Sequence, residues 1–285
     1  MAPKKIKFQL PQFISEIINH DIRKFHVNKN RLSNIIFETF KYDYKPFVEI
    51  ADENNISFQF NLNNDNAEIY DINYKEFFNE RIETQSELFR SLFYTYISYP
   101  SDKREIITYN KIYSDITTAI KERRQINLKF YGKFRLIEPF FISATNEERF
   151  NYICCYCHKN EKIVNYRLSK IEKVIISKNK QLNRDEIKIT EYRVNFDPYL
   201  SYNQKIKIKL TPIGVKLYDK FTFTPKILER VDIDKSDNKI YIIEASDLKA
   251  KLFFPQFMDE VEILEPLELR EWFKSKIKNM SNIYK

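Results

Sequence analysis

IKFQL at Ile6–Leu10 and ISFQF at Ile56–Phe60 are one short strand written twice, fifty positions apart. Working outward, NRLSNIIFETF at 30–40 aligns with SELFRSLFYTY at 86–96, pairing Leu32 with Leu88, Ile36 with Leu92, Phe37 with Phe93 and Thr39 with Thr95. The shift there is fifty-six, so the second copy has a longer middle. Ile6, Phe8 and Leu10 alternate with Lys5, Lys7 and Gln9, the period of two expected of a strand with one buried face. Phe13, Ile17, Ile18 and Ile22 then recur at helical spacing. Asn28 or Asn30 can cap a second helix whose apolar stripe is Leu32, Ile35, Ile36 and Phe40. Each copy, about 5–44 and 55–98, therefore reads as strand, helix, tight turn, helix.

This order resembles the ribbon-helix-helix family, in which two such units pair their strands into a ribbon that enters the DNA major groove. Two units in one chain could pair internally. The resemblance would turn Lys5, Lys7 and Gln9 outward from one strand and Ser57 and Gln59 from the other, all suited to bases or phosphates. The start of the second helix, with Asn28, Lys29, Asn30 and Arg31 in one copy and Gln85 and Ser86 in the other, could hold a phosphate on free backbone amides. The competing reading is a packing or dimerisation module. Glu76, Glu80, Glu83 and Glu87 favour it, since they would repel phosphate.

After a helix expected around Tyr109–Arg123 come five short strands, QINLKFY, FRLIEPFFIS, FNYICCYCH, IVNYRL and IEKVIISK, which suggest a small barrel. Tyr131 at a strand end, Arg135 four residues before Pro139, the strand FNYICCY and the segment YRLSKI at 166–171 resemble the WYL domain, an Sm-like or SH3-like barrel. The eponymous Trp-Tyr-Leu is here Asn151-Tyr152-Ile153, and Ser169 and Lys170 stand where the family usually has an acidic residue and an arginine. The resemblance implies a basic, aromatic pocket of Tyr131, Arg135, Tyr152, Arg167 and Lys170 for a nucleotide or nucleic acid, where rings stack bases and guanidinium groups pair with phosphate. Alternatively, Tyr152 is a core residue and Arg167 pairs with Glu138.

Residues 205–280 resemble the C-terminal extension that accompanies WYL domains, on IKIKLTPIGVKLYDKF, a strand leading into a helix, and FFPQFMDEVEILEPLELREWF, a strand ending at Pro266 and then a helix. Relatives usually carry a glycine where Met258 follows Phe257, so the turn is expected to differ. Lys205, Lys207 and Lys209 form one face of an alternating strand, either solvated or against a phosphate backbone. The resemblance implies homodimerisation through this region. Trp272, the only tryptophan, is expected in the core.

The resulting expectation is a multidomain α+β chain: a ribbon-helix-helix region at 1–100, a linker helix and WYL domain at 101–190, and a small α+β dimerisation extension at 200–285. Its 285 residues suffice for several cores. The net charge of +8 suits a polyanionic partner. It is unevenly spread: nine basic against four acidic residues in 1–46, three against ten in 47–100, twenty against thirteen in 101–201 and sixteen against thirteen in 202–285.

Nothing in the sequence assembles a catalytic centre. Cys154, Cys155 and Cys157 crowd one apolar run, which suits packed thiols better than a disulfide framework or tetrahedral zinc. His20, His26 and His158 lack metal-binding context. With Gly132 and Gly214 the only glycines, no phosphate-cradling loop exists. Carboxylate pairs such as Glu147-Glu148 and Asp185-Glu186 lie in polar, loop-like stretches. No cofactor is expected. No stretch has the run of apolar residues a membrane helix needs, and the N-terminus lacks an apolar signal core, so a cytoplasmic, soluble protein is expected.

Three functions remain open: a ligand-responsive transcriptional regulator; a single-stranded-RNA-binding accessory protein that enhances a type VI-D CRISPR effector nuclease, whose domain layout this chain resembles; and a non-catalytic interaction scaffold.

Overall fold

The computed structural model describes residues 4–48, 54–77, 82–145, 149–221, 224–233 and 236–284. Glu80 and the Glu147-Glu148 pair lie outside them. The architecture is mixed α and β, in two compact units: residues 1–144 with 148–183, and residues 184–285 with 145–147.

The first unit begins with the repeat. Strand β1 (Lys5–Pro11) is followed by α1 (Gln12–Phe25) and α2 (Lys29–Phe40); β2 (Asn55–Asn61) is followed by α3 (Asn64–Ile72) and α4 (Gln85–Ile97). The strands pair antiparallel with Phe8 opposite Phe58, Ile6 opposite Phe60 and Leu10 opposite Ile56. The fifty-residue shift thus places the two copies symmetrically about the Phe8–Phe58 pair. Those rings stand 5.6 Å apart and both pack on Phe93 of α4, the aromatic seed of the core. Symmetry is incomplete, because Ile6 is fully buried and Ile56 is exposed.

The second helices obey the fifty-six shift down to their caps. Asn28 accepts the Arg31 N–H at the start of α2, and Thr84 accepts the Glu87 N–H at the start of α4, where Glu87 completes a capping box. The stripe of α1 is rotated from the sequence expectation. Ile14, Ile18, Asp21 and Phe25 are buried, whereas Phe13, Ile17 and Ile22 are only partly so. The rotation has a physical cause: the carboxylate of Asp21 is fully buried because Arg104 donates to it from Nε at 2.6 Å and Nη2 at 3.1 Å, and the Tyr96 hydroxyl donates at 3.0 Å.

Arg104 belongs to α5 (Ser101–Thr108), which leads almost directly into α6 (Asn110–Lys121) and then a five-stranded antiparallel sheet: β3 (Arg124–Phe130), β4 (Lys133–Ala144), β5 (Asn151–Cys157), β6 (Lys162–Arg167) and β7 (Ile171–Lys180), in spatial order β6-β5-β4-β3-β7. Glu105 ties the helices to this sheet. Fully buried, it accepts from the Asn151 N–H at 2.6 Å, the Asn151 amide at 2.9 Å and the Ser169 N–H at 3.1 Å. Buried residues from Ile6 to Val174 form one continuous apolar cluster across the repeat and the sheet.

In the second unit α7 (Glu186–Val194) precedes a four-stranded antiparallel sheet with order β11-β8-β10-β9, made of β8 (Lys205–Leu210), β9 (Lys226–Ile233), β10 (Lys239–Glu244) and β11 (Val261–Glu265). Helices α8 (Pro212–Lys220), α9 (Asp247–Phe253) and α10 (Leu267–Ile283) complete it. Ile206, Ile208 and Leu210 bury one face with Tyr218, Phe254 and Phe257. On the other face Lys207 and Lys209 pair with Glu265 and Glu262 of β11. Trp272 is not in the core: it is partly exposed, with Lys251 and Lys276 over its ring.

Candidate nucleic-acid interface

Two surfaces of the first unit carry the residues expected to bind. The first is the strand pair. Because Ile6, Phe8, Leu10, Phe58 and Phe60 point inward, the opposite face is polar throughout. Lys5 stands across from Asn61, Lys7 from Gln59 and Gln9 from Ser57, all exposed. The helix starts are less open than expected. The Asn28 side chain is used as a cap, and Asn30 accepts the Asn61 N–H at 3.2 Å. Lys29 folds over the Phe58 ring, 3.8 Å from its centroid, where burial lowers its pKa. Arg31 is exposed. In the second copy the Glu87 carboxylate accepts from the Glu83 and Thr84 N–H groups, and Gln85 bonds the Tyr70 hydroxyl, so the anion position beside Ser86 holds a carboxylate of the chain itself.

The second surface lies where α1 ends against β5 and β6. Tyr152 and Arg167 are directly opposed across these strands. Arg167 lies over the Phe150 ring, donates from Nη2 to the Lys24 carbonyl at 2.8 Å and from Nε to the Ser169 hydroxyl at 2.9 Å. Glu138 is not its partner. That carboxylate accepts instead from His158, Gln125 and the Leu182 and Asn183 N–H groups. Burial alone would raise the Glu138 pKa, but these donors outweigh it and lower it. Lys24 sits 4.4 Å from the centroid of Phe150, on α1, and His26 touches Lys170 just beyond that helix. Burial, then the charges of Lys170 and Arg167, lower the His26 pKa.

Lys170 also reaches the ring of Tyr131, 5.9 Å away. Tyr131 and Gly132, both with positive φ, make the two-residue turn between β3 and β4, which leaves the tyrosine 68% exposed. Arg135 is not among this group. The register puts it on the face of Ile137 and Cys157, opposite to that of Tyr152 and Arg167. There its Nε is buried without a hydrogen-bond partner among the described residues, beside Tyr166, whose ring stacks edge-on with Phe130 at 4.8 Å.

Lys24, His26 and Phe150 were missed by the sequence reading. His26 precedes Lys170 by 144 residues, and no local pattern announces such a contact. The three cysteines are buried free thiols. Among the described residues no helix is long and apolar enough to cross a membrane, and no cluster of metal-ligating side chains occurs.

Residues 111–176 match the family model of the WYL domain. The chain carries a WYL domain. Its strands β4, β5 and β6 hold Arg135, Tyr152 and Arg167, with Tyr131 in the turn between β3 and β4 and Lys170 in the short turn before β7. Over the full length, the chain is similar in fold to a solved structure described as a CRISPR Cas-related protein, with TM-score 0.67 at 14% identity, covering 100% of this chain and 95% of that one. Proteasome accessory factor B/C (PafBC) of Arthrobacter aurescens is also matched, with TM-score 0.31 at 16% identity, over 72% of this chain and 33% of that one. No curated protein matches.

Proposed function

We propose that this WYL-domain protein is a non-catalytic, cytoplasmic accessory protein that binds single-stranded RNA and modulates a CRISPR effector nuclease. The observation that carries this reading is the cluster at the end of α1. Phe150 is contacted by Lys24 and Arg167, and the exposed Tyr131 stands beside Lys170, so cations and rings alternate on one surface. Duplex hides its base faces, whereas unpaired bases stack on rings and guanidinium planes while cations meet the phosphates. Full-length likeness to a CRISPR Cas-related protein supports the accessory role. The orphaned Arg135 Nε suits a separate anionic ligand at the far side of the WYL sheet, taken here as an Sm-like barrel.

A second reading is favoured by the polar row of the strand pair. If the repeat acts as a ribbon-helix-helix module, Lys5, Lys7, Gln9, Ser57 and Gln59 form a two-stranded ribbon fit for the DNA major groove, and the protein is a transcriptional regulator. Homodimerisation through the second unit belongs to both readings.

Fluorescence anisotropy with labelled single-stranded RNA and duplex DNA, each titrated across salt, separates them. The accessory reading expects tighter RNA binding, lost on Phe150→Ala with Arg167→Ala and kept on Lys7→Ala with Gln9→Ala. The opposite pattern establishes the DNA reading. Binding to neither leaves an interaction scaffold.

A further inference from the structure

Between α2, the turn joining β2 to α3 and the junction of α5 with α6 runs an open groove of about 1130 Å³. It exceeds the roughly 300–1,000 Å³ of an ordinary small-molecule site, so it has room for a stretch of polymer. Three asparagines on its walls are fixed in orientation. Asn28 Oδ1 accepts the Arg31 N–H at 2.8 Å, Asn30 Oδ1 the Asn61 N–H at 3.2 Å and Asn63 Oδ1 the Asn66 N–H at 2.8 Å. An amide whose oxygen is held by a backbone N–H has its flip decided, and what it has left to offer is a pair of donors. Among the described residues none of these three NH2 groups bonds an acceptor. Asn34, between them, has both ends of its amide occupied.

Arg31 adds only donors. Its guanidinium stands 5.6 Å from the ring of Tyr109, whose hydroxyl donates to the Phe25 carbonyl at 2.6 Å. The groove is thus rich in donors, yet it is not a phosphate trap. Arg31 and Lys111 are balanced by Glu38 and Asp115 on its lining, and Lys111 is bonded to Asp115. Donors in a site without net charge suit neutral acceptors. Asn61 lines the groove and also ends the polar row of the strand pair, opposite Lys5, so the two surfaces are continuous.

We propose that this groove reads the edges of unpaired bases that present a carbonyl acceptor, the O6/N7 edge of guanine and O4 of uracil, and disfavours adenine and cytosine, which carry an amino donor at the corresponding position. The proposal rests on the nucleic-acid reading above and adds the base preference.

The test compares, at one salt concentration, the affinity of the full chain for short single strands of alternating G and U against alternating A and C. Wild type is expected to prefer the G/U strand by about tenfold. Asn30→Asp with Asn63→Asp keeps an oxygen for the Asn61 and Asn66 N–H groups while exchanging the donors for acceptors. The added charge weakens both strands alike, so the ratio of affinities isolates the donors, and it is expected to fall to about one. Asn28→Asp, which also keeps its cap, gives the same test should the double variant unfold. Lys24→Ala with Arg167→Ala should weaken both strands and leave the ratio intact. Equal wild-type binding to the two strands, or a ratio unchanged in the aspartate variants, overturns the groove while leaving nucleic-acid binding standing. Binding of neither strand overturns both.

Discussion

Met258 takes φ 52°, ψ −116°, a conformation that glycine adopts freely and side chains resist. The sequence singled out this position because the WYL extension usually has a glycine there; the backbone shows why. Met258→Gly is expected to raise stability by about 1 kcal/mol, read as a higher denaturation midpoint. Gly214 is the converse. A Cβ there would stand 2.3 Å from the Glu260 carbonyl oxygen, so Gly214→Ala must push α8 off its neighbour and lower the same midpoint. Glu138 adds a pH dependence. Its folded pKa lies below the unfolded value of about 4.3, so its contribution is complete above that value and is lost as pH falls through the folded one. Glu138→Gln should flatten the acid limb of a stability profile below about pH 4.3, a change visible in thermal melts collected as a pH series.

Elements carry the repeat. The strand pair and the second helices were legible because period-two alternation and cap residues are local signals, and both survive in the two copies. Thr84→Ala removes a complete capping box and should cost about 1 kcal/mol, measured by chemical denaturation, whereas Asn28→Asp keeps its cap and should cost a few tenths at most. The acidic character of the second copy also finds its use here. Glu87 fills the helix start that a phosphate would otherwise take, so the two copies are alike in fold and unlike in what they can bind. In the lysine-faced strand β8, the sequence left solvation and phosphate contact open. Glu262 and Glu265 on the neighbouring strand take two of the three lysines, a pairing set by register and invisible to a single strand.

At the scale of the molecule, Asp21, Arg104 and Glu105 fasten the repeat to the sheet. A buried charge deprived of its partner costs about 3–5 kcal/mol, so Arg104→Met is expected to lose that much by leaving the Asp21 carboxylate without its guanidinium. Replacing Asp21 with Asn and Arg104 with Met together should recover part of it in a double-mutant cycle. Because the repeat and the sheet share one apolar cluster, Arg104→Met is expected to keep a single unfolding transition; two transitions would show that the buried ion pair, and not the cluster, couples them.

The sequence by itself determined the repeat, the five strands of the WYL domain and the outward row of the strand pair, because periodicity and turn residues act over a few neighbours. Tertiary structure alone decided that Arg135 faces away from Tyr152 and Arg167, since a β-bulge near Pro139 and the strand register fix the faces. It alone brought Lys24, His26 and Phe150 beside Arg167 and Lys170, and gathered Asn28, Asn30 and Asn63 into one wall of donors. Those arrangements depend on which distant elements share a core, and burial of a common apolar surface leaves no mark in the local pattern of the residues around it.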